Sequence, residues 1–144
     1  MNRDLHSNIK LVRSISPIAV GTTGVGQAGK IVDTAGYMGV EFLFGYGAIT
    51  ATNATLLPVV KEGDVTGAMT SIADADLLGT EANAGIGAAA ARTSGVSKNV
   101  DKRLGYIGTK RYVQVAKLSS TVTAGTVVHA SVLLGKPRNA PVAT

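Results

Sequence analysis

Residues 24–36, GVGQAGKIVDTAG, hold the residue types of a nucleotide site. Gly24 to Lys30 fits GxxxxGK, a loop whose amides cradle phosphates while the lysine reaches the terminal ones. Gly24, Gly26 and Gly29 also spell the GxGxxG of dinucleotide sites. Asp33-Thr34-Ala35-Gly36 matches the DTAG of GTP-hydrolysing loops. The chemistry would be phosphoryl transfer, which needs a helix after the loop and Ser or Thr after the lysine to hold Mg²⁺. Ile31 stands at that position, and Val32, Gly36 and Gly39 continue in a strand-like context. No helix N-terminus would then face a phosphate. Asp33 also follows Lys30 too closely to reach across a nucleotide that the lysine holds. The stretch reads as a glycine turn entering a strand.

Other candidate chemistry is thinner. Asp74-Ala75-Asp76 with Glu81 lacks the alternating oxygen ligands and the central glycine of a calcium loop. His6 and His129 lie far apart in sequence. His129 and Ser131 share one strand face with no carboxylate to orient the imidazole. There is no cysteine, which excludes disulfides, thiolate metal sites and a Cys nucleophile. The expectation is a protein without catalytic, cofactor-binding or metal-binding residues and without a small-molecule substrate.

Charge is segregated along the chain. Glu62, Asp64, Asp74, Asp76 and Glu81 fall in a segment with no Lys or Arg. Lys98, Lys102, Arg103, Lys110, Arg111 and Lys117 then face Asp101 alone, within a chain of net charge +5. Opposite local charges in successive segments suit contact between protein copies. Although Tyr106 and Tyr112 lie in the basic run, Arg111, Val113, Val115 and Lys117 share one strand face with the charges at its ends and form no continuous phosphate-tracking stripe, so a nucleic-acid role is not expected. Arg3, Asp4, His6, Lys10 and Arg13 interrupt any signal-peptide core, and no run nears the roughly 18 apolar residues of a membrane helix. The chain reads as soluble, synthesised in the cytoplasm and free of membrane contact.

The elements that must position these residues read as strands. Aromatics are 4% of 144 residues, so Val, Ile, Leu and Ala must build the core around Phe42 and Phe44. Glycine, at 18 residues, is well above the usual ~7% and has no strict period, which favours many turns. Met38, Val40, Phe42, Phe44 and Tyr46 alternate with Gly39, Glu41, Leu43 and Gly45, a period-two strand. Residues 28–33, 55–64, 103–108, 111–118 and 126–135 read as further strands. Pro58 consigns its strand to an edge or a bulge. Gly108-Thr109-Lys110 reads as a tight hairpin between two of them. Ser71 is a candidate N-cap for a helical turn that Gly79 ends, and 65–97 as a whole reads as a long exposed connection. The expected fold is mainly β: a single-domain antiparallel sandwich, jelly roll or barrel over 21–135. An extended N-terminal arm (1–20) precedes it, and a Pro-bounded extended tail (136–144) follows.

Five blocks, DLHSNIKLVRSISP, IVDTAGYMGVEFLFGYG, IADADLLGTEA, KRLGYIGTKRYVQV and VLLGKPRNAPVA, cover well over half of the chain. Their combination resembles a family of small proteins that tailed phages and prophages encode among their head genes, close to the major capsid protein. The match is weakest over 82–99. The resemblance implies a virion structural protein, a capsid decoration (cement) protein, β-rich and commonly trimeric. Its implied partners are the major capsid protein and copies of itself, and its implied location is the capsid surface. A tail-tube or head–tail connector component is the alternative, and a DNA-contacting head protein a remoter one. The family carries over no site motif. The residues expected to meet capsid or neighbouring copies are Leu5, Ile9 and Leu11 in the arm, Lys102, Arg103, Lys110 and Arg111 in the basic run, and Pro137 and Arg138 in the tail.

Overall fold

The computed structural model describes residues 4–20, 27–87, 99–120 and 126–139. Strands β1 (Ile9–Val20), β2 (Gln27–Asp33), β3 (Tyr37–Tyr46), β4 (Thr55–Gly63), β5 (Thr70–Ser71), β6 (Leu77–Leu78), β7 (Val100–Tyr106), β8 (Tyr112–Ser120) and β9 (Thr126–Pro137) form two antiparallel sheets. One sheet runs β1-β9-β3-β7-β6, the other β2-β8-β4-β5. Their facing sides make the core of a β-sandwich. Phe42, Phe44, Leu104, Val128, Val132 and Leu134 come from the first sheet, and Val32, Leu56, Val60, Val113 and Val115 from the second, all buried. Period-two patterning explains both β3 and β9, where Val128, Ala130, Val132 and Leu134 point inward and the residues between them outward.

Residues 9–20, expected as an extended arm, are extended and lie along β9 as the edge strand β1, from Ile9 opposite Gly135 to Val20 opposite Thr126. Ser14 and Ile15 are buried there. At the other end Lys136 and Pro137 complete β9, and the Arg138 amide donates to the Gly36 carbonyl at 2.8 Å. Residues 140–144 of the expected tail lie outside the described residues.

The expected hairpin at Gly108-Thr109-Lys110 is corrected. β7 pairs with β3 and β6, whereas β8 pairs with β2 and β4, so residues 107–111 cross from one sheet to the other. The reason is burial. Leu104 and Tyr106 face Val113 and Val115 across the core, which a flat two-strand ribbon would not permit. The crossing is pinned by the Ile107 amide donating to the Asp76 carbonyl and the Lys110 amide donating to Tyr106 Oη.

The expected helical turn capped by Ser71 is instead a 3₁₀ turn over Asp74–Asp76, preceded by Ala73. The connection 65–87 holds β5, that turn, β6 and the one-turn helix α1 (Glu81–Ala84), and it buries Ile72, Leu77, Ala84 and Ile86. Thr80 caps α1, its hydroxyl accepting from the Asn83 amide at 3.1 Å. Residues 88–98 lie outside the described residues. The expected edge or bulge at Pro58 is corrected: β4 lies between β8 and β5 in unbroken register, with Ile86 bridged to Leu56, and proline is tolerated because its nitrogen faces away from β8. The Leu56 amide donates to the Ile86 carbonyl and the Val60 amide to the Glu81 carboxylate, both away from β8. Pro58 shares their parity, and β5 pairs only with Lys61 and Glu62, so no ladder bond is lost.

Candidate interaction surface

Because inward and outward residues alternate, the register of the five-stranded sheet defines its outer face. One row crosses all five strands, through Leu11, Leu133, Glu41, Gly105 and Leu78. On one side of it lies the row Ile9, Gly135, Gly39, and on the other the row Arg13, Ser131, Leu43, Arg103. Leu11 is 61% exposed and Leu78 60%. Ile107, 55% exposed, stands at the end of the face, and Met38, 74% exposed but with the inward parity of Val40 and Phe42, reaches the groove at the end of β3. Between them runs a groove of about 340 Å³, with Gly39 and Gly135 among its lining residues, Leu78, Ile107 and Leu133 along it, and Lys136 at its end.

The glycines of this groove differ in cause. A Cβ at Gly105 would come within 2.9 Å of Leu78 Cβ, so close packing inside the chain explains that residue. At Gly135 a Cβ would meet nothing within 4 Å, and at Gly39 it would make only ordinary contacts, at 3.6 Å or more. Neither has a positive φ. Glycine inside a strand weakens it by roughly 0.5–1 kcal/mol relative to alanine, and nothing inside the fold requires it at these two positions.

The charged candidates are placed by cross-strand geometry. Arg111 makes a bidentate pair with Asp33, at 3.0 and 2.8 Å, and stacks its guanidinium over Tyr112. The guanidinium, with the Ala35 amide, holds the Asp33 carboxyl below its ordinary value; the same pair raises Arg111. Lys110 pairs with Asp64, which raises its pKa. Lys102 Nζ donates to the carbonyls of Asn83 and Gly85, both at 2.9 Å, tying β7 to the end of α1. Arg103 leans toward Glu41 at 3.7 Å, a loose pair whose arginine is 81% exposed. Four cations expected to face a partner are thus engaged within the chain. Arg138, exposed, and Lys136 make no ion pair among the described residues.

Leu5 is exposed beside the 3₁₀ turn over His6–Asn8, where Asp4 accepts from the Ser7 amide and has its pKa lowered by that bond. Ile9 and Leu11 join the apolar face, while Pro137 pairs with Tyr37 at the sheet's end. Met38, Leu78, Ile107, Leu133 and the Gly39–Gly135 pair were not anticipated as surface features. The outward parity of Gly39 and Glu41 was visible in β3, but their cross-strand neighbours are set by the register. A second hollow, about 380 Å³, lies between Tyr37, Met38, Thr109 and Arg138. Tyr106 Oη beside it is already used, donating to Glu62 and accepting from the Lys110 amide. Burial and the Glu62 carboxylate raise the Tyr106 pKa.

Gly29 and Lys30 of the opening motif lie in strand β2, and Asp33 to Gly36 form a turn. There the Ala35 amide donates to Asp33 Oδ1, and Gly36 has φ +89°. Residues 21–26, the glycine turn expected before it, are outside the described residues. Among the described residues, no three His, Asp or Glu side chains converge as a metal site, and no helix is long and apolar enough to cross a membrane.

No family model matches the chain, and no curated protein matches it in sequence. Solved structures do resemble it in fold. A chain of the infectious bursal disease virus structure (Gx strain) superposes with TM-score 0.54 at 8% identity, over 91% of this chain and 32% of that one. This chain therefore spans about a third of the viral one. A Bacillus endospore appendage pilus chain aligns at TM-score 0.42 and 13% identity, over 95% of this chain and 97% of that one. A family two carbohydrate esterase from Cellvibrio japonicus aligns at 0.44 and 10%, over 95% and 33%. At such identities the viral likeness is one of fold alone: a single antiparallel β-sandwich.

Proposed function

We propose that the chain is a non-enzymatic virion structural protein that binds the outside of a tailed-phage capsid and stabilises the shell. The observation that carries this reading is where the five resembling blocks fall. Between them they touch every strand of the five-stranded sheet, β1, β9, β3, β7 and β6, together with β2 and β8 of the other sheet. A sandwich of the kind found in a virus structure suits the role, since shell binding needs broad surfaces rather than a cleft. Its partner is the major capsid protein. Individually weak contacts suffice there, because many copies on a lattice gain from effective concentration. Arg138 and Lys136, which make no ion pair among the described residues, are the cations best placed to meet an acidic lattice surface.

Co-sedimentation of the purified chain with expanded empty shells, followed by cryo-electron microscopy of the pellet, tests the reading. Ordered density on the outer surface, at symmetry positions between capsomers, is the expected result. Absence from the pellet, with rings or tubes forming from the chain alone, would move it to the tail or the head–tail connector.

A further inference from the structure

We propose that the outer face of the five-stranded sheet docks a second copy of this chain, face to face about a two-fold axis. The inference goes beyond shell binding and stands whether or not the chain binds a capsid.

The face itself calls for a cover. Leu11, Leu78 and Ile107 are all more than half exposed and lie on or beside a single sheet face, a pattern that marks interaction surfaces. Beneath them Gly39 and Gly135 stand opposite each other in neighbouring strands, with no steric need for glycine inside the chain. Paired strand glycines without an internal cause mark a place where something from outside approaches the backbone closely.

Charge selects the occupant. The outward positions carry Arg13 and Arg103 against Glu41 and Asp101, and Lys136 at the groove's end adds one positive charge. The whole chain carries +5, so most of that excess lies elsewhere and copies repel through the rest of their surfaces. A nearly balanced face on a basic protein suits another copy better than it suits a strongly charged partner. The loose Glu41–Arg103 pair lies near the middle of the face and is self-complementary. A two-fold axis beside it sets each Glu41 against the other copy's Arg103, as an isologous interface requires.

Edges offer less. β1 is shifted in register twice and carries Pro17, and its Ser14 hydroxyl bonds the Lys30 carbonyl of β2. β5 and β6, on the opposite side, are two residues each. Such edges discourage strand addition, which leaves the face as the route of self-association.

Sedimentation velocity of the full chain over a concentration series is the test. The wild type should reach a dimer. Gly135→Val adds a side chain whose Cβ meets no atom of its own chain within 4 Å, so it should unfold near the wild-type midpoint yet weaken dimerisation at least tenfold. Glu41→Arg and Arg103→Glu should each weaken it comparably, and an equimolar mixture of the two should restore it, because each Arg then meets a Glu of the other copy. A monomer at every concentration, a trimer, a dimer indifferent to Gly135→Val, or a mixture as weak as its components would overturn the proposal. Shell binding measured on the same Gly135→Val protein keeps the two readings separate. A monomeric variant that still decorates shells supports both, whereas a dimeric wild type that ignores shells sinks only the capsid role.

Discussion

Gly29 lies directly against Ser14: a Cβ at residue 29 would stand 2.2 Å from Ser14 Oγ and 2.8 Å from the Val115 carbonyl oxygen. The glycine that completes both nucleotide signatures is therefore a packing residue. It lets β1 and β2 close the sandwich at one side, where the Ser14 hydroxyl donates to the Lys30 carbonyl at 3.3 Å. Gly29→Ala should destabilise the fold by about 1–3 kcal/mol, the usual cost of overpacking. Urea unfolding reads it, and Ser14→Gly in the same chain should recover only part of the loss, because the Val115 carbonyl remains. An unchanged midpoint in Gly29→Ala would refute the seam.

Tyr46, at the end of β3, donates its hydroxyl to the Ala84 carbonyl at 2.8 Å inside the protein, and its burial raises its pKa. Tyr46→Phe leaves that carbonyl without this donor and should cost about 1–3 kcal/mol. Hydrogen exchange should rise at 80–87 more than in β9. Equal protection in both proteins would show that the bond does not hold α1 down.

Asp33 supplies an acid-sensitive link between β2 and β8. Its folded pKa lies below the ordinary 3.8, held there first by Arg111 and then by the Ala35 amide. A group depressed on folding stabilises the fold above its unfolded pKa and loses that contribution as pH falls through the folded one. Asp33→Asn should therefore be less stable than wild type at neutral pH, with the difference shrinking below about pH 4 as the unfolded carboxyl begins to protonate. Thermal melts from pH 7 to 2 measure this, and a gap that stays constant to pH 2 would refute it.

Salt-sensitive attraction to a shell should depend on cations that make no ion pair among the described residues. Reversing Lys136 and Arg138 together should reduce both shell occupancy and its salt dependence. Replacing Lys102, whose ammonium caps carbonyls at the end of α1, should lower stability by about 1 kcal/mol while changing shell binding little. Occupancy measured at two ionic strengths distinguishes these. A larger loss from Lys102 than from the pair at the end of β9 would contradict the assignment.

The β-rich class, the inward set Phe42, Phe44 and Tyr46 and the strand over 126–135 were legible in the sequence. Each rests on a local rule: side chains alternate along one strand. The helical turn assigned to Ser71 failed because tertiary burial of Ile72 and Leu77 held the chain to a 3₁₀ turn and a short strand. Only the tertiary structure decided that β7 and β8 belong to different sheets. A turn sequence reports that the chain reverses, not which layer it enters, and burial of Leu104 and Tyr106 against Val113 and Val115 made that choice. It also decided that the basic run meets Asp33, Glu41 and Asp64, and that Gly39 lies beside Gly135. Those pairs are far apart along the chain, and a slip of one residue in register would have turned every one of these side chains to the opposite face.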